Sequence, residues 1–216
     1  MSQKRKIVIS SFLILAIVLC NAVFFLSSCK DEKSEEDDPM VTDSSAYLSL
    51  DLSEYISVER YTGLTVTVKE GEDKASLILK AIWEKSNVIK YPGEQVNYYY
   101  NQTRQMYLDL ASGDEDRYEE ILAQQNVTED TILKDARDMV KNDLIFYYIV
   151  KDADITLTEE EKNSLYEQYV DYYVKTYKYS EDYVKENMSS LIYDSMLYDK
   201  TMEYLILNNN FTTEDK

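Results

Sequence analysis

Histidine is absent from this 216-residue chain, and cysteine, proline and glycine are scarce at two, two and four residues. Without imidazole there is no Ser–His or Cys–His nucleophile pair, no histidine general base and no histidine metal site. The glycines are too scattered to build a loop that cradles phosphate. Cys20 and Cys29 both belong to the N-terminal region, which leaves no thiol for a disulfide, a metal or a nucleophile in the body of the chain. So few glycines and prolines, with 44% apolar residues, imply long regular elements with few tight turns, and therefore helices.

Other catalytic devices also fail. The stretch Asp152-x-Asp154-x-Thr156 resembles the start of a calcium loop, but Leu157 stands where glycine is needed and Asn163 where the bidentate Glu belongs. Paired carboxylates could do acid–base work, yet among 41 acidic residues the sequence singles out no pair. The expectation is a protein that is not an enzyme and carries no metal or cofactor, with no small-molecule substrate.

Charge narrows the partners. Against 41 acidic residues stand only 23 basic ones, a net charge of −18. Binding to nucleic acid through phosphates needs clustered Lys and Arg, so no nucleic-acid partner is expected. Anionic lipid headgroups would repel the chain as well. The charge alone does no more than favour solubility.

What the chain does have begins at its N-terminus. Lys4, Arg5 and Lys6 precede an apolar run over residues 7–26, and Leu26-Ser27-Ser28-Cys29 closes it. This is the pattern of a secretion signal, and its last four residues resemble the lipobox of bacterial lipoproteins. That resemblance implies cleavage before Cys29 and acylation of Cys29. An ordinary signal peptide and an uncleaved membrane helix are the alternatives, since the run is long enough to span a bilayer. Loss of residues 1–28 takes the net charge to −21. Residues 29–45 then read as an acidic, flexible tether, and the protein as anchored at the extracytoplasmic face of the bacterial membrane by lipid alone.

The rest divides into a short strand-containing extension, 46–71, and a helical domain, 72–216. In the extension, the alternation of Leu48, Leu50 and Leu52 and the run 64–68 have a strand period, and predict one or two short strands. From Asp73 the pattern is helical: a first helix ends near Ser86, and Pro92 opens a second that Ser112-Gly113-Asp114 stops. A short helix covers 117–124, Thr128 caps a longer one, and 144–150 is apolar all round and so deeply buried. Thr158-Glu-Glu-Glu161 starts the next helix as a capping box. A single last helix is expected from about 180 to 208, with Val184, Met188, Leu191, Ser195, Tyr198, Met202 and Leu205 along its seam, before a polar tail from Asn208.

Tyrosine is the abundant aromatic, at 21 residues against five Phe and one Trp. Neighbouring tyrosines on a helix cannot all point the same way, so the runs 98–100, 147–148 and 172–173 place some rings toward solvent. Tyrosine at a surface offers contact area, a hydroxyl and little rotamer entropy, which suits varied partners. The same residues also serve as amphipathic core, and the stripe Tyr166, Tyr169, Tyr173, Tyr177 reads as core.

Several of these segments resemble the C-terminal domain of trigger factor. Residues 81–92, AIWEKSNVIKYP, are similar to its helix, extended link and helix-opening proline. Asn126-Val-Thr-Glu-Asp130 is similar to its next helix entry, and residues 144–161 look like its "L-x-L-x-x-I-A-x-x-x-x-I-x-V-T-x-E-E" passage. Tyr61-Thr-Gly-Leu-Thr-Val66 is similar to an upstream segment of clostridial members. The resemblance covers about 75–207 and extends to the related SurA-type chaperones. It implies a mostly α domain with helical arms and one or two short N-terminal strands. It also implies an ATP-independent holdase for unfolded or newly exported polypeptides. The ribosome-docking and prolyl-isomerase domains of that family have no counterpart here. Tyr98, Tyr99, Tyr100, Tyr107, Tyr147 and Tyr172 are the candidate client-binding residues. The alternative function is a non-catalytic surface lipoprotein, an adaptor or assembly subunit for one specific partner.

Overall fold

The computed structural model describes residues 44–213. Among them the chain is mostly helical, with eight α-helices and four short strands. The signal segment, Cys29 and most of the tether lie outside the described residues.

The leucine alternation does not make a strand. Ser44–Ser49 is a short helix (α1), so Ser44 and Ser45 belong to it rather than to the tether, and Leu52–Glu54 is a single 3-10 turn capped by the Asp51 side chain. The buried residues here are Tyr47 and Leu52, five apart, a spacing set by the helix and turn rather than by a pleat. The first strand comes later, as β1 (Ile56–Val58), and β2 (Thr65–Val68) follows at the expected run. Gly63, at φ +63°, makes the turn between them and donates its N–H to Asn208 O at 2.7 Å.

Helix ends follow their local caps. The Asp73 carboxylate accepts from Ser76 N at the start of α2 (Lys74–Lys85), and the helix ends at Ser86, whose buried hydroxyl donates back to Ile82 O. Residues Ser86–Val88 form β3, antiparallel to β1 with Ile56 opposite Val88. Pro92 caps α3 (Gly93–Leu110), and the Asp114 side chain caps α4 (Glu115–Gln124). Thr128 caps α5 (Glu129–Asp152), and Thr158 and Glu161 form a full capping box on α6 (Glu159–Tyr177).

The last helix is two. It breaks at Met188 into α7 (Glu181–Asn187) and α8 (Ser189–Leu207). The seam shifts with it: Ile192 and Met196 are buried, while Leu191 and Ser195 are only partly so. A four-residue spacing drifts about 40° per step around a straight helix. The break lets Val184, Met188, Ile192 and Met196 pack in one cluster with Tyr169, Val170 and Tyr173 of α6. The polar tail is also structured: Asn210–Thr213 is β4, parallel to β2 with Val66 opposite Phe211. Asn209 clasps that end. Its amide donates to Tyr61 O and Leu205 O and accepts from Leu64 N, at 2.7 to 3.0 Å.

Apolar burial falls into three clusters. The main core joins α1, α2, the C-terminal half of α5 and the end of α8, with Ile78, Ile82, Leu144, Ile149 and Leu205 fully enclosed. Tyr47, Leu52, Ile56 and Leu64 of the N-terminal extension belong to this same core. A first outer lobe comprises the end of α3, α4 and the start of α5, around Ala111, Tyr118, Leu122 and Ile132. The second outer lobe is α6, α7 and the start of α8. Helix α5, about 36 Å long at 1.5 Å per residue, carries the first lobe at one end and the main core at the other. Helix α8 does the same for the second lobe.

Candidate functional site

An excess of carboxylates over cations needs neutral donors, and tyrosine supplies them. Tyr61 of the β1–β2 link donates to Asp152, Tyr99 of α3 to Asp143 at 2.6 Å, and Tyr169 of α6 to Asp199 of α8 at 2.6 Å. Tyr100 of α3 and Tyr118 of α4 share Glu129 of α5 at 2.7 and 2.8 Å. Each bond joins two different elements. Hydrogen bonds to an ionised acceptor are the strong kind. Burial first, and the adjoining carboxylate second, push the Tyr99 and Tyr169 phenols up, so they remain donors. Burial works against ionisation of Glu129, but the Tyr100 and Tyr118 hydroxyls and the Arg104 guanidinium outweigh it and hold that carboxyl below its usual range.

One aromatic group lies at the main core, between α1, α5 and α8. Tyr47 of α1 stacks on Tyr147 of α5 with centroids 5.0 Å apart. Phe146 meets Tyr147 edge-on at 4.9 Å and Tyr198 of α8 at 5.7 Å. Tyr98 lies edge-on to Tyr99 at 5.4 Å, and Tyr99 reaches from α3 into this group to bond Asp143. Asp143 is the residue just before the all-apolar run 144–150. Burial pushes its carboxyl up to about 6, with the charge of Asp194 on α8 adding to the rise, while the Tyr99 and Tyr47 hydroxyls act the other way. The Tyr47 hydroxyl is buried against Asp143. A carboxyl raised by burial among aromatic rings is one of the two most strongly shifted carboxyls of the described residues, with Glu161, and such groups concentrate at functional sites.

Around Asp143, α1 is pinned twice. The Lys151 ammonium donates to Leu48 O and Leu50 O at 3.1 and 2.7 Å, meeting the negative end of that helix. Tyr47 provides the second hold.

The second lobe carries a tyrosine ladder at its α6–α7 turn. Tyr173, Tyr177, Tyr179 and Tyr183 follow one another with centroids 5.3 to 6.2 Å apart, and Tyr172 closes on Tyr173 and Tyr177. The turn is made by Lys178 at φ 64°.

Of the six tyrosines expected at a binding surface, Tyr99 bonds Asp143, Tyr98 lies edge-on to Tyr99, and Tyr147 stacks on Tyr47. Tyr147 faces inward, at 6% exposure beneath Tyr47, because its position on α5 points into the main core; the expectation that the 147–148 pair presents that ring to solvent is corrected. Tyr100 and Tyr107 are half-buried in the first lobe, the latter facing Gln125 at 3.4 Å, and Tyr172 is half-buried in the ladder. Cys29, the lipidation site, lies outside the described residues. Sequence reasoning missed Tyr47, Asp143, Phe146 and Tyr198. The signal for Asp143 was available, as a carboxylate abutting the most apolar run of the longest helix.

Among the described residues no group of three or more His, Cys, Asp or Glu could hold a metal ion, and no helix is long and apolar enough to cross a membrane. Compared with known proteins, the chain matches no family model, no curated protein and no solved structure.

Proposed function

We propose that this protein is an ATP-independent, extracytoplasmic folding chaperone of the trigger-factor/SurA type, anchored through lipid on Cys29. The observation that carries the reading is the division of its apolar burial into one main core and two outer helical lobes, with an aromatic junction at their base. Lobes that have cores of their own serve as arms around a bound chain. Partly exposed tyrosines at the junction and on the ladder supply many weak contacts, each contributing about a kcal/mol or less. Clients then exchange quickly, and no nucleotide is needed. The acidic body favours basic clients and keeps the complex from aggregating. A single acyl chain anchors only marginally, so a multiply acylated Cys29 is expected.

The test is suppression of aggregation. The mature protein, beginning at Cys29, is mixed near stoichiometrically with several unrelated denatured proteins, and light scattering is followed. Suppression of most of them supports the reading. Suppression of none overturns it, and tight binding to one partner alone favours the adaptor.

A further inference from the structure

Helix α5 carries a basic face in an acidic chain. Lys134, Arg137 and Lys141 follow one another at spacings of three and four, which puts them on one side of the helix. Lys134 bonds Asp138 at 2.6 Å. Arg137 and Lys141 make no ion pair with any described carboxylate. Each lies instead over an aromatic ring. The Lys141 ammonium is 3.6 Å from the centroid of Trp83 on α2, and the Arg137 guanidinium 5.9 Å from that of Tyr91, between β3 and α3. A ring face attracts a cation but leaves its charge unneutralised. Ile89, two residues before Tyr91, is 61% exposed, and Tyr91 itself is exposed. Unmatched cations beside exposed apolar residues are complementary to an acidic segment with apolar residues of its own.

The chain supplies such a segment itself, outside the described residues. Residues 31–38 hold six carboxylates and one lysine, and Met40 and Val41 follow as the only large apolar residues between Cys29 and Ser44. The segment leads into α1, which lies on α5 with Tyr47 stacked on Tyr147. Arg137 is ten residues before Tyr147, about 15 Å along the helix axis. The thirteen residues 31–43 reach up to about 43 Å when extended, enough to pass round the helix. A separate anion, whether a client segment or a lipid headgroup, meets the repulsion of a chain with net charge −18. A segment of the same chain offsets that repulsion by its effective concentration, on the order of millimolar.

We propose that residues 31–41 seat on this face of α5, with carboxylates of 31–38 on Arg137 and Lys141, and Met40 and Val41 over Ile89 and Tyr91. The segment then lies along the body instead of standing it off the membrane. Added salt screens these exposed pairs, frees the segment and lengthens the reach from Cys29. The inference does not depend on the chaperone reading.

Carbodiimide joins a lysine amine directly to a carboxylate that it touches, and so tests the contact. In the chain beginning at Cys29, at low salt, the expected product is a monomer with Lys141 joined to a carboxylate of residues 31–38, read by peptide mass spectrometry. The Lys200–Glu161 pair, 2.7 Å apart, is the internal control, and its product also shows that a variant is folded. Arg137→Gln keeps Lys141 as the reporter and lowers the yield about two- to fivefold, the worth of one exposed ion pair. Glu35→Gln, Glu36→Gln, Asp37→Asn and Asp38→Asn together lower it further. They also leave Trp83, the one tryptophan of the chain, more open to acrylamide quenching. Formation of the control product without the Lys141 product overturns the proposal. So does full yield in Arg137→Gln or at high salt. A Lys141 product found only between two chains gives the face to a second copy and overturns it too. Association with phosphatidylglycerol vesicles that Arg137→Gln removes, in place of the cross-link, gives the face to lipid and has the same consequence.

Discussion

The Lys200 ammonium of α8 reaches across to α6 and holds both carboxylate oxygens of Glu161, at 2.7 and 2.8 Å. The same ammonium bonds Thr156 O at 2.7 Å, so α8 is tied both to α6 and to the link that enters it. Glu161 is also the reciprocal half of the capping box with Thr158. The bond from Lys200 first, then those from the Thr158 amide and hydroxyl, hold its carboxyl down at about 2. A depressed carboxyl contributes stability that is present above the ordinary value of 4.5 and is lost as pH falls through about 2.

Replacing Lys200 by Met should therefore destabilise the protein by about 1 kcal/mol at pH 7, a modest figure because both partners remain about a third exposed. The loss should shrink toward pH 2. Urea midpoints at the two pH values measure it, and an equal loss at both would show that Lys200 acts through packing instead.

Asp143 has the opposite sign. Its carboxyl is raised from 3.8 to about 6, so its contribution is fully present below the lower value and is lost as pH rises through the upper one. The shift corresponds to at most about 3 kcal/mol. Asn at this position keeps an acceptor for Tyr99 and removes the charge. Asp143→Asn should raise stability at pH 7.5 by about 1 to 3 kcal/mol and barely change it at pH 3.5. Urea denaturation at both values decides, and a destabilised variant at pH 7.5 would contradict the reading.

The second lobe should loosen alone. Ile192 is fully buried in its cluster, and Ile192→Ala costs about 2 to 5 kcal/mol. Amide exchange should quicken along α6 and α7 while α4, in the other lobe, keeps its protection. Uniform quickening would mean that the lobes unfold as one unit with the core.

Helix boundaries were legible because their causes are local. Asp73, Thr128 and Thr158 sit at their caps with the partner amide three residues on. The short strands were harder, since β4 gains its meaning from β2, some 145 residues away, and three asparagines before it look like a loop. The break at Met188 escaped notice because its hydrogen bonds to Val184 and Ile192 keep helical spacing through it. Tyr98 and Tyr99 were found as tyrosines, but the carboxylate partner of Tyr99 lies on α5. No spacing within α3 reveals that Asp143 waits opposite Tyr99.

Asn209 offers a sharper test of long-range assembly. Its amide satisfies Leu64 N as well as two carbonyls, and an orphaned buried N–H costs about 1 to 3 kcal/mol. Asn209→Ala should lower stability by that amount, and thermal melts followed by circular dichroism measure it. Asn209→Gln, one methylene too long for the clasp, should not restore it.

Because β4 is the strand that β2 pairs with, the order of synthesis matters. Of the described elements β4 is the last to leave any exit pore, whether of the ribosome or of an export channel. Until it does, β2 has an unfilled edge and Leu64 an unmet amide. A chain halted after α8 therefore holds its helices but keeps its seam open. Pairing of β2 is timed by arrival of β4, and it cannot form while β4 is still in transit.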